Sequence, residues 1–202
     1  MAVIKRLPRY YRYLGELQED GITRVSSLEL SRSMNVTASQ IRQDLNNFGC
    51  FGQQGYGYSV PMLLNEIKNI LGLNNSYQLI IIGAGNLGQA LAAYENFNKR
   101  GFKFVALFDV NPDLVGKTIK GFKVYHVDNL ENFVNNNHVD IAVFSLPQSE
   151  AQHMVKRVCD LGIKGVWNFS HMDLQVNKLV SVENVHLTDS LMTLAYKLNK
   201  GN

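Results

Sequence analysis

Over about the first 75 residues, apolar positions recur at helical spacing, interrupted once by a short aromatic hairpin. Leu7, Tyr10, Tyr11, Leu14 and Leu17 fall on one stripe and predict a helix running to about Asp20. A second helix is expected behind Ser26 or Ser27, because Glu29 stands three residues after Ser26, the spacing of a capping box. Leu28, Leu30 and Met34 supply its apolar side. A third helix opens at Thr37, turns Ile41, Leu45 and Phe48 inward, and stops at Gly49. The tight "SMNVTA" link between the last two makes a helix-turn-helix pattern. Ser39, Gln40, Arg42, Gln43 and Asn46 lie on the outer side of the third helix, where side chains of this kind hydrogen-bond base edges and phosphates. Purely structural helical domains carry similar patterns, so the arrangement alone leaves both uses open. "FGCFGQQGYGYSVPML" then reads as two aromatic arms about a Gly-rich tip, a wing.

From about Ser76 the pattern changes to buried runs alternating with amphipathic helices. "YQLIIIGAGNLGQALAAY" is a buried strand, a G-x-G-x-x-G turn and an alanine-rich helix. Gly83 permits the tight turn, Gly85 lets the backbone approach a pyrophosphate, and Gly88 allows close helix–strand packing. A second strand, "FKFVALFDV", reaches Asp109 about 20 residues later, where a carboxylate accepts hydrogen bonds from a ribose 2′-hydroxyl and repels a 2′-phosphate. NAD(H) is therefore favoured over NADP(H). "GFKVYHV", "VDIAVFSLP" and "IKGVWNFS" are further strands, with "SEAQHMVKRVCDLG" a helix between the last two. The fold class is α/β, a Rossmann-like doubly wound parallel sheet after an N-terminal winged helix. Ser145, Leu146, Pro147, Asn168, Phe169 and Ser170 are expected beyond the strand ends, facing the nicotinamide. "VHLTDSLMTLAYKLNK" closes the chain as a helix capped by Thr188 or Asp189, striped by Leu187, Leu191, Leu194, Ala195 and Leu198. That stripe suits its own sheet or a second subunit equally. The boundaries expected are 1–75, 76–185 and 186–202.

Composition changes this picture little. The 202 residues are 46% hydrophobic and 18% charged, with net charge +3, which excludes a disordered or collagen-like chain. No apolar run approaches the roughly 20 residues of a membrane span, and no leader pattern opens the chain. A cytoplasmic protein is expected. Lys5, Arg6, Arg9 and Arg12 precede the first acid, Glu16; such an arm suits phosphate contacts, though charge alone favours a solvated helix face. Cys50 and Cys159 have no metal-ligand spacing and are expected as reduced, half-buried thiols. No His/Cys/Asp cluster suggests a metal. Among five histidines, His171 after the fifth strand is the one candidate proton carrier; His153 is expected on a helix packed against the sheet. No short-chain dehydrogenase Tyr-x-x-x-Lys stands where it should, and no substrate domain is evident.

In that order and spacing, "SSLELSRSMNVTASQIRQDLNNFGCFGQQGYGYSV", "GAGNLGQALAAY" and "FDVNPDLVG" resemble the Rex family of redox-sensing transcriptional repressors. The resemblance implies a homodimer that binds an inverted-repeat double-stranded operator and releases it when NADH occupies the Rossmann site. NADH and NAD⁺ are then regulatory ligands and the chain is no enzyme. It implies that Gly83, Ala84, Gly85, Asn86, Leu87 and Gly88 hold the pyrophosphate, and that Asp109 and Val110 hold the adenosine end. Arg9, Ser39, Gln40, Arg42, Gln43, Asn46 and Tyr56 would meet DNA. Arg12 and Tyr94 match a polar network that couples nucleotide state to domain orientation. The family often carries aspartate where this chain has His186, with Asp189 one turn on as a substitute, and often lysine where it has Gln43. Glutamine suits adenine, so the half-site is expected to shift toward A·T. The C-terminal helix would be exchanged between subunits, near the partner's DNA-binding domain. Two other readings stay open: an NAD-dependent oxidoreductase with a helical appendage, and a module of the same fold that takes CoA or another nucleotide.

Overall fold

The structure, a computed structural model, describes residues 3–49, 52–53 (backbone only), 56–176 and 179–200. Contacts divide the chain into two compact units, Met1–Asn75 and Ser76–Asn202.

In the first unit, α1 (Leu7–Glu19), α2 (Ser27–Met34), α3 (Ala38–Asn46) and α4 (Val60–Ile70) surround a core of Leu7, Leu14, Leu30, Ile41, Leu63 and Ile67. Both expected caps form. Ser26 Oγ accepts from the Glu29 amide at 3.1 Å while Glu29 Oε2 accepts from the Ser26 amide at 2.7 Å, and Thr37 Oγ1 accepts from the Gln40 amide at 3.1 Å. Leu28 departs from expectation: one position off the buried Leu30–Met34 stripe, it is exposed. The third helix ends at Asn46, before Gly49. The hairpin is three-stranded, because β1 (Arg24–Val25) pairs antiparallel with β3 (Gly57–Ser59), which also pairs with β2 (Gly52–Gln53). Cys50 and the wing tip lie outside the described residues.

One buried charge joins α1 to α3. Asp44, 1% exposed, accepts two bonds from Arg6 at 2.6 Å each, one from Tyr10 Oη at 3.0 Å and one from Gln40 Nε2 at 2.9 Å. Burial alone would raise the Asp44 pKa, but the bonds from Arg6, Gln40 and Tyr10 outweigh it and hold the carboxyl below its ordinary value. The Tyr10 phenol is raised by burial and by that carboxylate.

In the second unit the sheet order is β10-β9-β8-β4-β5-β7-β6, from β4 (Tyr77–Ile82), β5 (Phe102–Asp109), β6 (Thr118–Ile119), β7 (Phe122–His126), β8 (Ile141–Phe144), β9 (Gly165–Asn168) and β10 (Ser181–Asn184). All pairs are parallel except β6 with β7. The chain starts centrally at β4, builds outward to one edge, then crosses to β8 and builds the other way. In open sheets of this kind the point where the direction reverses is where ligands bind. One face, with Ile80, Ile82, Phe108 and Phe144, lies under α7 (Leu130–Asn136) and α8 (Gln148–Asp160). The other, with Leu79, Ile81, Leu107 and Val143, lies under α5 (Asn86–Ala92) and α6 (Asn96–Lys99). β7 stands where "GFKVYHV" is expected, whereas β10 and the short β6 that forms a hairpin with β7 are not among the expected strands. Among the described residues, the link from β9 to β10 contains no helix. At the amino end of the sheet, Leu79, Phe97, Phe102, Ile141 and Trp167 line an apolar groove of about 410 Å³.

The last helix, α9 (Leu187–Lys200), buries no side chain, and Leu187, Leu191, Met192, Leu194, Tyr196 and Leu198 are all more than half exposed. It begins at Leu187, so Thr188 and Asp189 stand in its first turn rather than at its cap. No helix among the described residues is long and apolar enough to cross a membrane.

The Asp44 bonds carry a stability prediction. Asp44→Ala removes the carboxylate that Arg6 and Tyr10 face, and should cost about 3 kcal/mol at neutral pH. A carboxyl whose pKa falls on folding contributes fully above its unfolded value of about 4 and progressively less below it. The gap between wild type and variant should therefore narrow in acid, as read by denaturant titration at pH 7 and pH 3.

Candidate functional site

Close backbone approach builds the Gly-rich turn. Gly83 has φ +101°, and a Cβ there would meet the Ser145 carbonyl oxygen at 2.4 Å. Ser145 Oγ donates to the Gly83 carbonyl at 2.6 Å, and the Gly83 amide donates to Phe108 O at 2.8 Å. A Cβ on Gly88 would meet that same Gly83 carbonyl at 2.1 Å, so α5 and β4 touch with nothing between them. At Gly85 a Cβ would meet nothing within 4 Å, so this side of the turn is open. Gly85 precedes α5 and gives it no side-chain cap, leaving the first amides of the helix without a side-chain acceptor. The turn thus closes behind Gly83 and Gly88 and opens in front of Gly85, a shape that admits a phosphate group.

Asp109 ends β5 beside this turn and is bonded to it: Oδ2 accepts from the Ala84 amide at 2.6 Å and Oδ1 from the Asn111 amide at 2.8 Å. Its carboxylate ties two segments together, and the remaining lone pairs are what a ribose hydroxyl would use. Val110, next along, is exposed. Residues 83–88 and Asp109 are therefore gathered at the carboxyl ends of β4 and β5. One contributor escapes the sequence reading, and one serves another purpose than expected. Gln89 Nε2 donates to the Ala84 carbonyl at 2.7 Å, and Ser145 braces Gly83. A polar residue directly after the third glycine is the only signal for Gln89.

Other expectations about this end of the sheet need correction. Ser145 is turned to Gly83, while Asn168 and Ser170 are buried in a network of their own. Asn168 Nδ2 donates to Asn184 Oδ1 and Met172 O, each at 2.8 Å, and Ser170 Oγ donates to Asn168 Oδ1 at 2.6 Å. These side chains fasten β9 to β10 instead of facing a ligand. Phe169 packs on Trp167 at 4.6 Å between centroids. His171 is exposed, and so is His153, on the outer side of α8. Among the described residues no group of three or more His, Cys, Asp or Glu is placed to hold a metal. Cys159 is half-buried, and burial raises its thiol pKa.

On the first unit, Ser39, Arg42, Gln43 and Asn46 are exposed along α3. Arg42 Nη1 donates to Ser27 Oγ at 3.0 Å. Gln40 differs from its neighbours, since its amide is turned to Asp44. Arg9 Nη2 donates to the Met34 carbonyl at 2.6 Å, closing the C-terminal end of α2. Tyr56 is 70% exposed at the start of the second wing arm. Gly57 has φ +69°, and a Cβ there would meet the Val25 carbonyl oxygen at 2.6 Å, so only glycine lets this arm lie on β1.

The four residues of the expected polar network fall in both units. Arg12, exposed, is in the first; Tyr94, His186 and Asp189 are in the second. Tyr94 is exposed, its ring edge-on to Phe97 at 5.1 Å. His186 Nε2 lies 3.2 Å from Asp173 Oδ1, a partner no sequence pattern announced.

Comparison with known proteins agrees with this geometry. Residues 1–46 match the family described as a putative DNA-binding protein N-terminus, and residues 74–172 match the CoA binding domain family. A redox-sensing transcriptional repressor Rex from Clostridioides difficile is 57% identical over 201 residues, covering 100% of this chain and 96% of the relative. Another, from Caldanaerobacter subterraneus, is 56% identical over 99% of this chain and 89% of its own length. Among solved structures, RSP in complex with β-NAD⁺ and operator DNA superposes with TM-score 0.93 at 54% identity, covering 100% of this chain and 93% of that one. RSP in complex with β-NADH gives 0.92 at 51% identity, covering 100% and 94%. RSP is described as a Rex-family repressor. The winged helix, the Rossmann sheet and the full-length likeness converge: this chain belongs to the Rex family of redox-sensing transcriptional repressors.

Proposed function

We propose that this chain is a homodimeric repressor that binds an inverted-repeat operator and leaves it when NADH occupies the turn at residues 83–88. The observation that carries the nucleotide half is the closure of Gly83 and Gly88 behind an open Gly85, with Asp109 bonded to Ala84. The amides of residues 85–88 would hold the pyrophosphate, with Ala84 in the turn behind them; Asp109 and Val110 would hold the adenosine end. The bound dinucleotide supplies a redox-dependent shape and charge, and no residue here is asked to do chemistry on it. The chain acts as a regulator rather than an enzyme, in the cytoplasm, where the DNA it reads is held.

Ser39, Arg42, Gln43 and Asn46 of α3 meet the major groove, Tyr56 the wing's contact, and Arg9 the backbone. Gln40 serves this surface by bracing Asp44. One recognition helix per chain calls for two chains on two half-sites. The surface for pairing is α9, whose apolar stripe finds no cover in its own unit, as expected of a helix exchanged between subunits. Arg12, Tyr94, His186 and Asp189 form the switch, with Asp173 fixing the His186 ring.

A ligand shifts such an equilibrium only by its differential affinity for the two states. Fluorescence anisotropy of a labelled A·T-rich inverted repeat should show tight binding that NADH reverses while NAD⁺ and NADPH leave it intact. Binding indifferent to all three would remove the redox switch. Gly88→Ala drives a methyl into the Gly83 carbonyl and should weaken NADH binding roughly tenfold or more, by fluorescence titration, with operator affinity kept. Leu191→Asp with Leu198→Asp should convert the dimer to a monomer by sedimentation and lower operator affinity in parallel.

A further inference from the structure

The wing lacks charge where a DNA-contacting loop usually carries it. Residues 49–57, "GCFGQQGYG", hold no Lys or Arg. The strand beneath supplies one. Arg24 stands on β1, which pairs with β3 on one side and leads directly into the Ser26 cap of α2 on the other. Its guanidinium lies over the Tyr56 ring, 5.8 Å from the centroid, and Nη1 donates to the Tyr56 carbonyl at 3.1 Å. Arg24 is itself exposed, so the aromatic face and that single carbonyl orient the fork while its other N–H groups remain toward solvent. The recognition helix reaches the same place, since Arg42 bonds to Ser27, three residues from Arg24. β1 therefore lies between the two parts of the unit expected on DNA. Gly57 keeps the wing arm pressed to it, because any side chain there would strike the Val25 carbonyl.

Resting on the operator-binding function proposed above, we infer that Arg24 is a phosphate-contacting residue of the DNA interface, with the Tyr56 ring as its shelf. It stands in for the cation that the wing does not carry. The ligand is a backbone phosphate, so the contact adds affinity evenly across sequences and releases counterions.

Arg24→Gln keeps one N–H donor for the Tyr56 carbonyl and removes the charge; Arg24→Lys keeps the charge. Operator affinity should be measured by anisotropy at several salt concentrations, with NADH affinity as a check on folding. Arg24→Gln should weaken binding roughly fivefold and reduce the slope of log K against log salt by about 0.9, with NADH affinity unaltered. Arg24→Lys should keep the slope. Weakened binding with the wild-type slope would make Arg24 a brace for the wing and overturn the contact, as would unaltered affinity. A wild-type chain that binds no duplex would overturn the operator-binding function and the contact with it.

Discussion

The second unit rests on a single peptide group. The Gly83 carbonyl takes the Ser145 hydroxyl and faces the Cα of Gly88 so closely that no Cβ fits between them. Three elements meet there: the end of β4, the first turn of α5 and the loop after β8. Because β8 is the strand to which the chain crosses when sheet growth reverses, this contact also lies where sheets of this kind take their ligands. A nucleotide-binding turn needs its amides aimed before the ligand arrives. Here they are aimed by removing side chains, a constraint of volume rather than of attraction.

Two carboxylates perform comparable tasks in the two units. Asp44 collects Arg6, Tyr10 and Gln40, and so fixes how α3 is rolled against α1. Asp109 collects the amides of Ala84 and Asn111, and so fixes the turn against the end of β5. In each case a charged acceptor offers its lone-pair sites to a near neighbour in sequence and to donors 25 or more positions away. Asp44 is almost wholly enclosed, which makes its partners obligatory. Asp109 is open enough to keep acceptor capacity for a ligand hydroxyl. One carboxylate is spent on shape, the other shared between shape and recognition.

What the sequence disclosed and what it concealed divide by range. The caps at Ser26 and Thr37, the α1 stripe, the glycine turn and the acid ending β5 are all local patterns, and each appears in the structure. Pairings across distance were hidden. β1 is two residues long and acquires its identity from β3, more than 30 positions away. β10 reads "SVEN", too short and polar to declare a strand, yet it pairs with β9 in full register. Nothing near Asp44 in the sequence reveals that Arg6 waits 38 positions upstream. Leu28 misled in the opposite sense: an apolar residue in an apolar-rich helix, facing water. Asn168 and Ser170 sit at the strand end that topology assigns to a ligand, and each other's company settles them inside instead.

The bare stripe on α9 has a consequence for how this protein exists in solution. A helix whose leucines all face water is held only by its own backbone bonds, and isolated helices of this length are marginal. If that stripe pairs with a second chain, as proposed above, the order of the helix depends on the encounter. Folding and association become one equilibrium, in which total protein concentration enters on the same footing as temperature or denaturant. Dilution would act on such a repressor as a denaturant does, beginning at the carboxyl end of the chain.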